Sequence, residues 1–271
     1  MIKSGKGFNK ALSVVKQYFT FCSLIVFSLP VMADEYRGFD LKLGPYLSSY
    51  DYSESGDVSI EGKLSGVIAR YASYYNGTAL FSDITYATND LDYDGVGKIK
   101  NVGNKIYDLR GMIGRSFYFN DLYRFTPYLG LGVRHSITDS RQRISSVFIQ
   151  GYKSQQSYVY NPIGIEYQTL MTDEIWSVGW RFEYDSLIVV KNTTRLGADD
   201  GYEKVKVSQI NGHGYQLYIS FQHFLNAHGG AIIIEPFYKY WKVSGTNDDE
   251  LPHRTANHSS NEWGVALMVS F

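Results

Sequence analysis

The feature that most constrains this chain is a period of two in its apolar residues, repeated segment after segment. "IWSVGWRFEYDS" sets Trp176, Val178, Trp180, Phe182 and Tyr184 against Ser177, Gly179, Arg181, Glu183 and Asp185. "GFDLKLGPYL" sets Phe39, Leu41, Leu43, Pro45 and Leu47 against Asp40, Lys42, Gly44, Tyr46 and Ser48. "YQLYISFQ" sets Tyr215, Leu217, Ile219 and Phe221 against Gln216, Tyr218, Ser220 and Gln222. Successive side chains of a strand point to opposite faces, so the pattern predicts strands with one apolar and one polar face.

Ten segments carry it: Gly38–Tyr50, Leu64–Tyr75, Thr78–Thr88, Ile106–Phe119, Arg124–Ile137, Ser157–Leu170, Ile175–Val190, Val207–Leu225, Ala231–Val243 and Asn261–Phe271. Most exceed the average globular strand of about 5–6 residues and suit a tilted membrane-crossing strand of about 9–11. The second and third alternate less cleanly, so eight strands is the alternative to ten. Short connections fall at Asn76-Gly77, Asn120-Asp121, Thr172–Glu174 and Asn226–Gly230. Long ones fall at Asp51–Lys63, Asn89–Lys105, Thr138–Gln156, Lys191–Lys206 and Ser244–Ser260. The two kinds alternate strictly, as in an up-and-down outer-membrane β-barrel with short periplasmic turns, long extracellular loops and an even strand number.

The first residues read differently. Lys3, Lys6, Lys10 and Lys16 form a basic start without acids, followed by the apolar "YFTFCSLIVFSLPVMA". This predicts a secretory signal peptide over 1–33, cleaved after Ala33, and a barrel domain over 34–271; an uncleaved anchor is the alternative. The single cysteine, Cys22, falls in the leader, so no disulfide is expected after cleavage. Removing those four lysines from the 26 basic residues leaves 22 against 27 acidic ones, a net charge of −5, which argues against nucleic-acid binding. Aromatic residues make up 16% of the chain, fitting either ordinary sheets or aromatic belts at two membrane interfaces.

Periodicity cannot tell inside from outside. A soluble exported sandwich or lipocalin-like barrel would turn the same apolar face inward. Rows of large aromatics on the apolar faces, the alternation of loop lengths and the aromatic final strand favour a barrel with its apolar face in lipid. In that final strand Trp263, Val265, Leu267, Val269 and Phe271 occupy alternate positions, with Gly264, Ala266, Met268 and Ser270 on the lumen side. The pattern resembles the closing strand of Gram-negative outer-membrane barrels, and the chain looks like the small opacity-type or surface-antigen barrels. The resemblance implies an outer-membrane location with both mature termini periplasmic. It also implies periplasmic chaperones and the barrel assembly machinery during biogenesis, and a setting of lipid and lipopolysaccharide. It leaves the chemistry open.

With apolar faces in lipid, the polar faces line the lumen. The expected lumen charges are Asp40, Lys42, Asp108, Arg110, Arg134, Glu166, Arg181, Glu183, Asp185, Glu235 and Lys239. Buried charges must pair, so these residues predict an ion-pair network plugging a narrow barrel; a charge-lined pore is the alternative. Gly130, Gly132, Gly164 and Gly179 would face inward and seat Tyr128, Tyr158 and Tyr160.

Candidate chemistry is thin. Asp90, Asp92 and Asp94 before Gly95 match the first half of a calcium loop, but its twelfth position is Asn101 rather than Glu. His253 and His258 near Asp248, Asp249 and Glu250 fit no metal spacing. The omptin proteases resemble the chain in strand number only, with no matching Asp–Asp or Asp–His set. His135 and Ser136 are adjacent, so they face opposite ways, unlike the His and Ser of barrel lipid A deacylases. In the Thr138–Gln156 loop, Arg141, Arg143, Phe148 and Tyr152 are contact candidates, the arginines for lipopolysaccharide phosphates. The expectation is a monomeric, non-enzymatic surface protein without cofactor, displaying long loops to a host surface or envelope component. A small-solute channel and a rim-site hydrolase are the alternatives.

Overall fold

The computed structural model describes residues 37–55, 58–95, 97–120, 122–169, 175–196, 204–209, 211–225, 230–245 and 257–271. The expected signal over 1–33 lies outside these residues, as do His253, Asp248, Asp249 and Glu250 and the turn at Thr172–Glu174.

Among the described residues twelve strands form one antiparallel sheet: β1 (Arg37–Glu54), β2 (Val58–Tyr75), β3 (Thr78–Gly95), β4 (Gly97–Arg115), β5 (Phe117–Phe119), β6 (Tyr123–Asp139), β7 (Tyr152–Thr169), β8 (Trp176–Leu196), β9 (Lys204–Gln209), β10 (Gly212–Phe224), β11 (Ala231–Val243) and β12 (His258–Ser270). Each main strand pairs with its sequence neighbour, and β1 pairs with β12, closing a barrel. There are ten staves. Ser116 interrupts the fourth, leaving β5 to pair with β6 alone, and the eighth splits into β9, against the outer part of β8, and β10. The uncertain second and third segments are full members, β2 and β3, which decides for ten rather than eight.

The long connections are a correction. Much of Asp51–Lys63, Asn89–Lys105 and Lys191–Lys206 is paired strand rather than loop. β1 to β4 and β6 to β8 run 17 to 21 residues each, well beyond the ~9–11 that a bilayer crossing needs, so their outer parts form long ribbons. At the short end Asn76 and Gly77 have φ of 48° and 70°, the left-handed pair that a tight type I′ hairpin needs.

The apolar faces point outward. Phe39, Leu43, Leu80, Ile84, Leu109, Leu131, Ile163 and Leu217 are exposed. Aromatic rings edge this aliphatic band on both sides. Tyr123, Tyr167 and Trp180 stack in a row at the short-turn end, with centroids 6.0 and 5.9 Å apart. Tyr86, Tyr107 and His135 make a row at the ribbon end, at 5.0 and 6.4 Å. From Tyr123 to His135 along β6 is about 30 Å of barrel height at ~3.4 Å per residue and ~40° tilt. That matches a bilayer's hydrocarbon core.

In the closing seam, Trp263, Leu267, Val269 and Phe271 are exposed outward and Val265 is half-buried, while Ala266, Met268 and Ser270 are buried inside. A Cβ on Gly44 would lie 1.8 Å from the Leu267 carbonyl oxygen, so only glycine lets β1 and β12 approach this closely.

The interior is not uniformly polar. Tyr46, Leu64, Ile68, Ile106, Ile233 and Met268 belong to one buried apolar cluster. Two of the four inward glycines seat the expected tyrosines. A Cβ on Gly132 would meet the Tyr160 ring at 2.2 Å, and one on Gly164 the Tyr128 ring at 2.5 Å. Gly130 instead lies against Met112, and Gly179 against Gln168 and Ser220.

Candidate functional site: the charged lumen and the outer mouth

Asp83, 3% exposed on β3, is the hub of the lumen. Its Oδ2 accepts Arg110 Nη2 at 2.7 Å and Nε at 3.1 Å, and Arg181 Nη1 at 2.8 Å; Arg70 Nε lies at 3.5 Å. Each arginine has a second acid behind it. Arg70 bonds Glu235 at 2.5 Å, Arg181 bonds Glu166 at 2.7 Å, and Arg110 bonds Glu183. Tyr128 donates to Glu183 at 2.8 Å, Arg124 bonds Glu166 at 3.2 Å, and Gln216 donates to Asp185 at 2.5 Å. Opposite charges alternate across the lumen, so among the described residues each of these guanidiniums faces a carboxylate.

A second cluster lies nearer the ribbon end. Arg134 contacts Glu262 at 3.2 Å and Asp108 at 3.5 Å. Tyr46 and Ser48 donate to Glu262 at 2.7 and 2.9 Å, and Tyr160 donates to Asp108 at 2.7 Å. Lys239 is buried opposite Glu262 in the ladder, its ammonium 5.0 Å from the Tyr46 ring centroid. Asp40 and Lys42 pair at 3.1 Å, partly exposed at the short-turn mouth, where they line one opening with Arg70, Asp83, Glu166 and Arg181.

The expected lumen charges lie on the inner faces, and four further charges, Arg70, Asp83, Arg124 and Glu262, are buried among them. Arg70 and Asp83 sit on β2 and β3, whose inner faces also carry Ile68 and Phe81 and so blur the alternation. Glu262 continues the inner row of Gly264, Ala266 and Met268 by one step of two, a signal that was present.

The outer candidates fare differently. Asp90, Asp92 and Asp94 lie along one exposed face of β3, at about 7 Å intervals, so an extended strand keeps them apart. Asp94 pairs with Lys98 at 2.9 Å, and Asp92 accepts the Asn101 amide at 3.3 Å. Among the described residues no group of three acid, His or Cys side chains could hold a metal ion. Arg141 is tied to Asp139 at 2.8 Å, and its guanidinium holds that carboxyl below the usual range. Arg143 and Phe148 are exposed. Tyr152 turns instead into the barrel mouth, edge-on to Tyr93 at 6.4 Å.

The segment between β6 and β7 is a built tip. Ser145 exchanges backbone hydrogen bonds with Ile149 and Phe148, and Gly151 donates to Arg143. The Ser145 hydroxyl accepts the Ile149 amide at 3.1 Å, and Ser146 bonds Lys98 on the neighbouring hairpin. Phe148 has φ 63°, costly for an aromatic residue, and is 91% exposed beside exposed Ile144, Val147 and Ile149.

A His–Ser pair exists after all, across strands. His135 and Ser136 do face opposite ways, but the β6–β7 register brings Ser157 beside His135, with Oγ 2.8 Å from Nδ1. Sequence spacing carries no trace of this, because the pairing depends on register.

No protein-family model matches the chain, and no curated protein matches it in sequence. Among solved structures, the outer membrane protease OmpT from Escherichia coli is similar over 91% of this chain and 99% of its own, with TM-score 0.60 and 9% identity. The translocator domain of the autotransporter NalP from Neisseria meningitidis matches 96% of this chain and 97% of its own, with TM-score 0.42 and 7% identity. The attachment invasion locus protein Ail of Yersinia pestis matches 86% and 98%, with TM-score 0.35 and 9% identity. The first likeness shows the fold, a ten-stranded barrel of outer-membrane type; its identity is too low to carry chemistry across.

Proposed function

We propose that the chain is a monomeric integral outer-membrane surface protein, exported by its N-terminal signal, with both mature termini in the periplasm. Its ribbons present a contact surface to a host surface or an envelope component, and its lumen is plugged. The observation that carries this reading is the tip at Ile144–Ile149. Hydrogen bonds hold it, and a non-glycine residue with positive φ points a bare phenyl ring into solvent. Exposed apolar side chains on a rigid support are the usual anchors of interfaces. Phe148→Ser, in cells displaying the protein, is expected to cost about 2 kcal/mol of binding, a loss of roughly thirtyfold in affinity. Adherence that survives this variant and removal of 140–151 would end the reading.

A rim-site hydrolase is the second reading, and the His135–Ser157 pair favours it. Nucleophile and base lie within hydrogen-bond reach on the outer face beside the upper aromatic row. If it holds, micellar ester hydrolysis falls at least about a hundredfold in Ser157→Ala. Equal rates in variant and parent would remove it.

A further inference from the structure

The tip between β6 and β7 is built inside out. Ile144, Val147, Phe148 and Ile149 are 51 to 91% exposed. Its polar groups are tied back instead. The Ser145 amide donates to the Ile149 carbonyl, the Ser146 amide to the Lys98 carbonyl and the Phe148 amide to the Ser145 carbonyl. The Ile149 amide donates to the Ser145 hydroxyl. The Ser146 hydroxyl accepts the Lys98 amide at 3.0 Å, so Ser146 and Lys98 are bonded twice. An interface bathed in water does not ask for this. A lipid environment does, because it offers no partner to an unmet amide.

The tip is also supported and placed. It rests on the β3–β4 hairpin, where a Cβ on Gly97 would lie 2.8 Å from Val147 Cγ2. The ladder of that hairpin runs from Tyr86–Tyr107, in the ribbon-end aromatic row, out to Gly95–Gly97. That is about 30 Å of strand at ~3.4 Å per residue, so the tip lies far along the ribbon from the aliphatic band.

Charge completes the pattern. From Ser140 to Lys153 the chain has no acid and carries Arg141, Arg143 and Lys153. Asp139 pairs with Arg141 and Lys153, and Asp94 with Lys98. Arg143 is exposed beside Ile144.

We propose that this tip inserts into the surface of an apposed anionic phospholipid bilayer, with Phe148 leading and Arg143 and Lys98 at the headgroups. The proposal deepens the contact-surface reading and rests on it for the outward facing of the ribbon end. Burial of the ring and its aliphatic neighbours drives insertion, and cations near an anionic surface add to it. A protein groove could receive the same side chains, but it would not call for polar groups tied back so fully or for the basic flank.

The test is flotation of the full-length protein, held in phosphatidylcholine nanodiscs, with two kinds of vesicle: phosphatidylcholine mixed with phosphatidylserine, and phosphatidylcholine alone. The parent is expected to float with the mixed vesicles, and less with phosphatidylcholine alone or at raised salt. Partition onto the mixed vesicles should fall at least about tenfold in Phe148→Ser, which loses a buried ring. It should fall about fivefold in Arg143→Gln. Phe148→Trp keeps a large ring suited to the interface and should retain binding. Heat-modifiable gel migration checks the barrel in each variant. No flotation of the parent, or equal flotation of parent and Phe148→Ser, would overturn the proposal. Adherence that needs Phe148 without any flotation would also overturn it, by giving the tip a protein or glycan partner, yet would leave the contact-surface reading standing. Flotation that needs Phe148 beside adherence that does not would support insertion and end that reading alone.

Discussion

Asp83→Ala is expected to destabilise the barrel by about 3–5 kcal/mol, because it strips the shared anion from guanidiniums that stay buried. Arg70, Arg110 and Arg181 are each 4 to 7% exposed and converge on one Asp83 oxygen. Their outer acids, Glu235, Glu183 and Glu166, remain, but three buried positive charges would then face one another with no anion between them. Asp83→Asn keeps the shape and loses only the charge, so it should fall between parent and alanine variant. Denaturant unfolding in phospholipid vesicles gives the number: the midpoint falls while the slope is unchanged. The same residue tests the plug. In planar bilayers the parent should carry no steady unitary current. A change below about 0.5 kcal/mol would mean that the lumen is wet enough to screen its charges, and would favour the channel alternative.

Leu131→Arg is the second large effect. Leu131 lies on the outer face of β6, 44% exposed, between the two aromatic rows. On a soluble barrel an exposed leucine can become arginine at a cost within about 0.5 kcal/mol. In lipid the charge must leave water, and the cost rises to about 2–4 kcal/mol near the bilayer midplane. Unfolding in vesicles measures it directly. A neutral result would contradict the outward-facing lipid surface, whatever the loops do.

The lumen shows where reading residues in order succeeds and where it stops. On β8 the alternation of Trp180, Phe182 and Tyr184 with Arg181, Glu183 and Asp185 was clean, and all six face as expected. On β2 and β3 both faces carry apolar groups, so Arg70 and Asp83 had no contrast to stand out against. The outer segments hide their strands for a related reason. Polar, glycine-containing stretches such as Asn89–Lys105 look like loops, yet outside the bilayer a two-stranded ribbon needs no apolar face. The ladder between β3 and β4 continues to Gly95 and Gly97.

What the amino-acid order decides alone is the strand pattern. Side-chain direction flips at every residue of an extended chain, so a period of two assigns each residue a face wherever the two faces differ in polarity. Alternating short and long connections then set ten staves in up-and-down order. Which residues meet is another matter. Asp83 and Arg110 are on neighbouring strands, but Arg181 reaches Asp83 across the lumen, from β8 to β3. Glu262 and Arg134, or Ser157 and His135, are likewise joined only by closure and register. A one-residue slip keeps local strand propensity and breaks every such pair. Faces are therefore local properties of the chain. The seated tyrosines and the tip follow once β6 and β7 are in register, whereas the charge hub exists only once β1 has met β12 and the ring is shut.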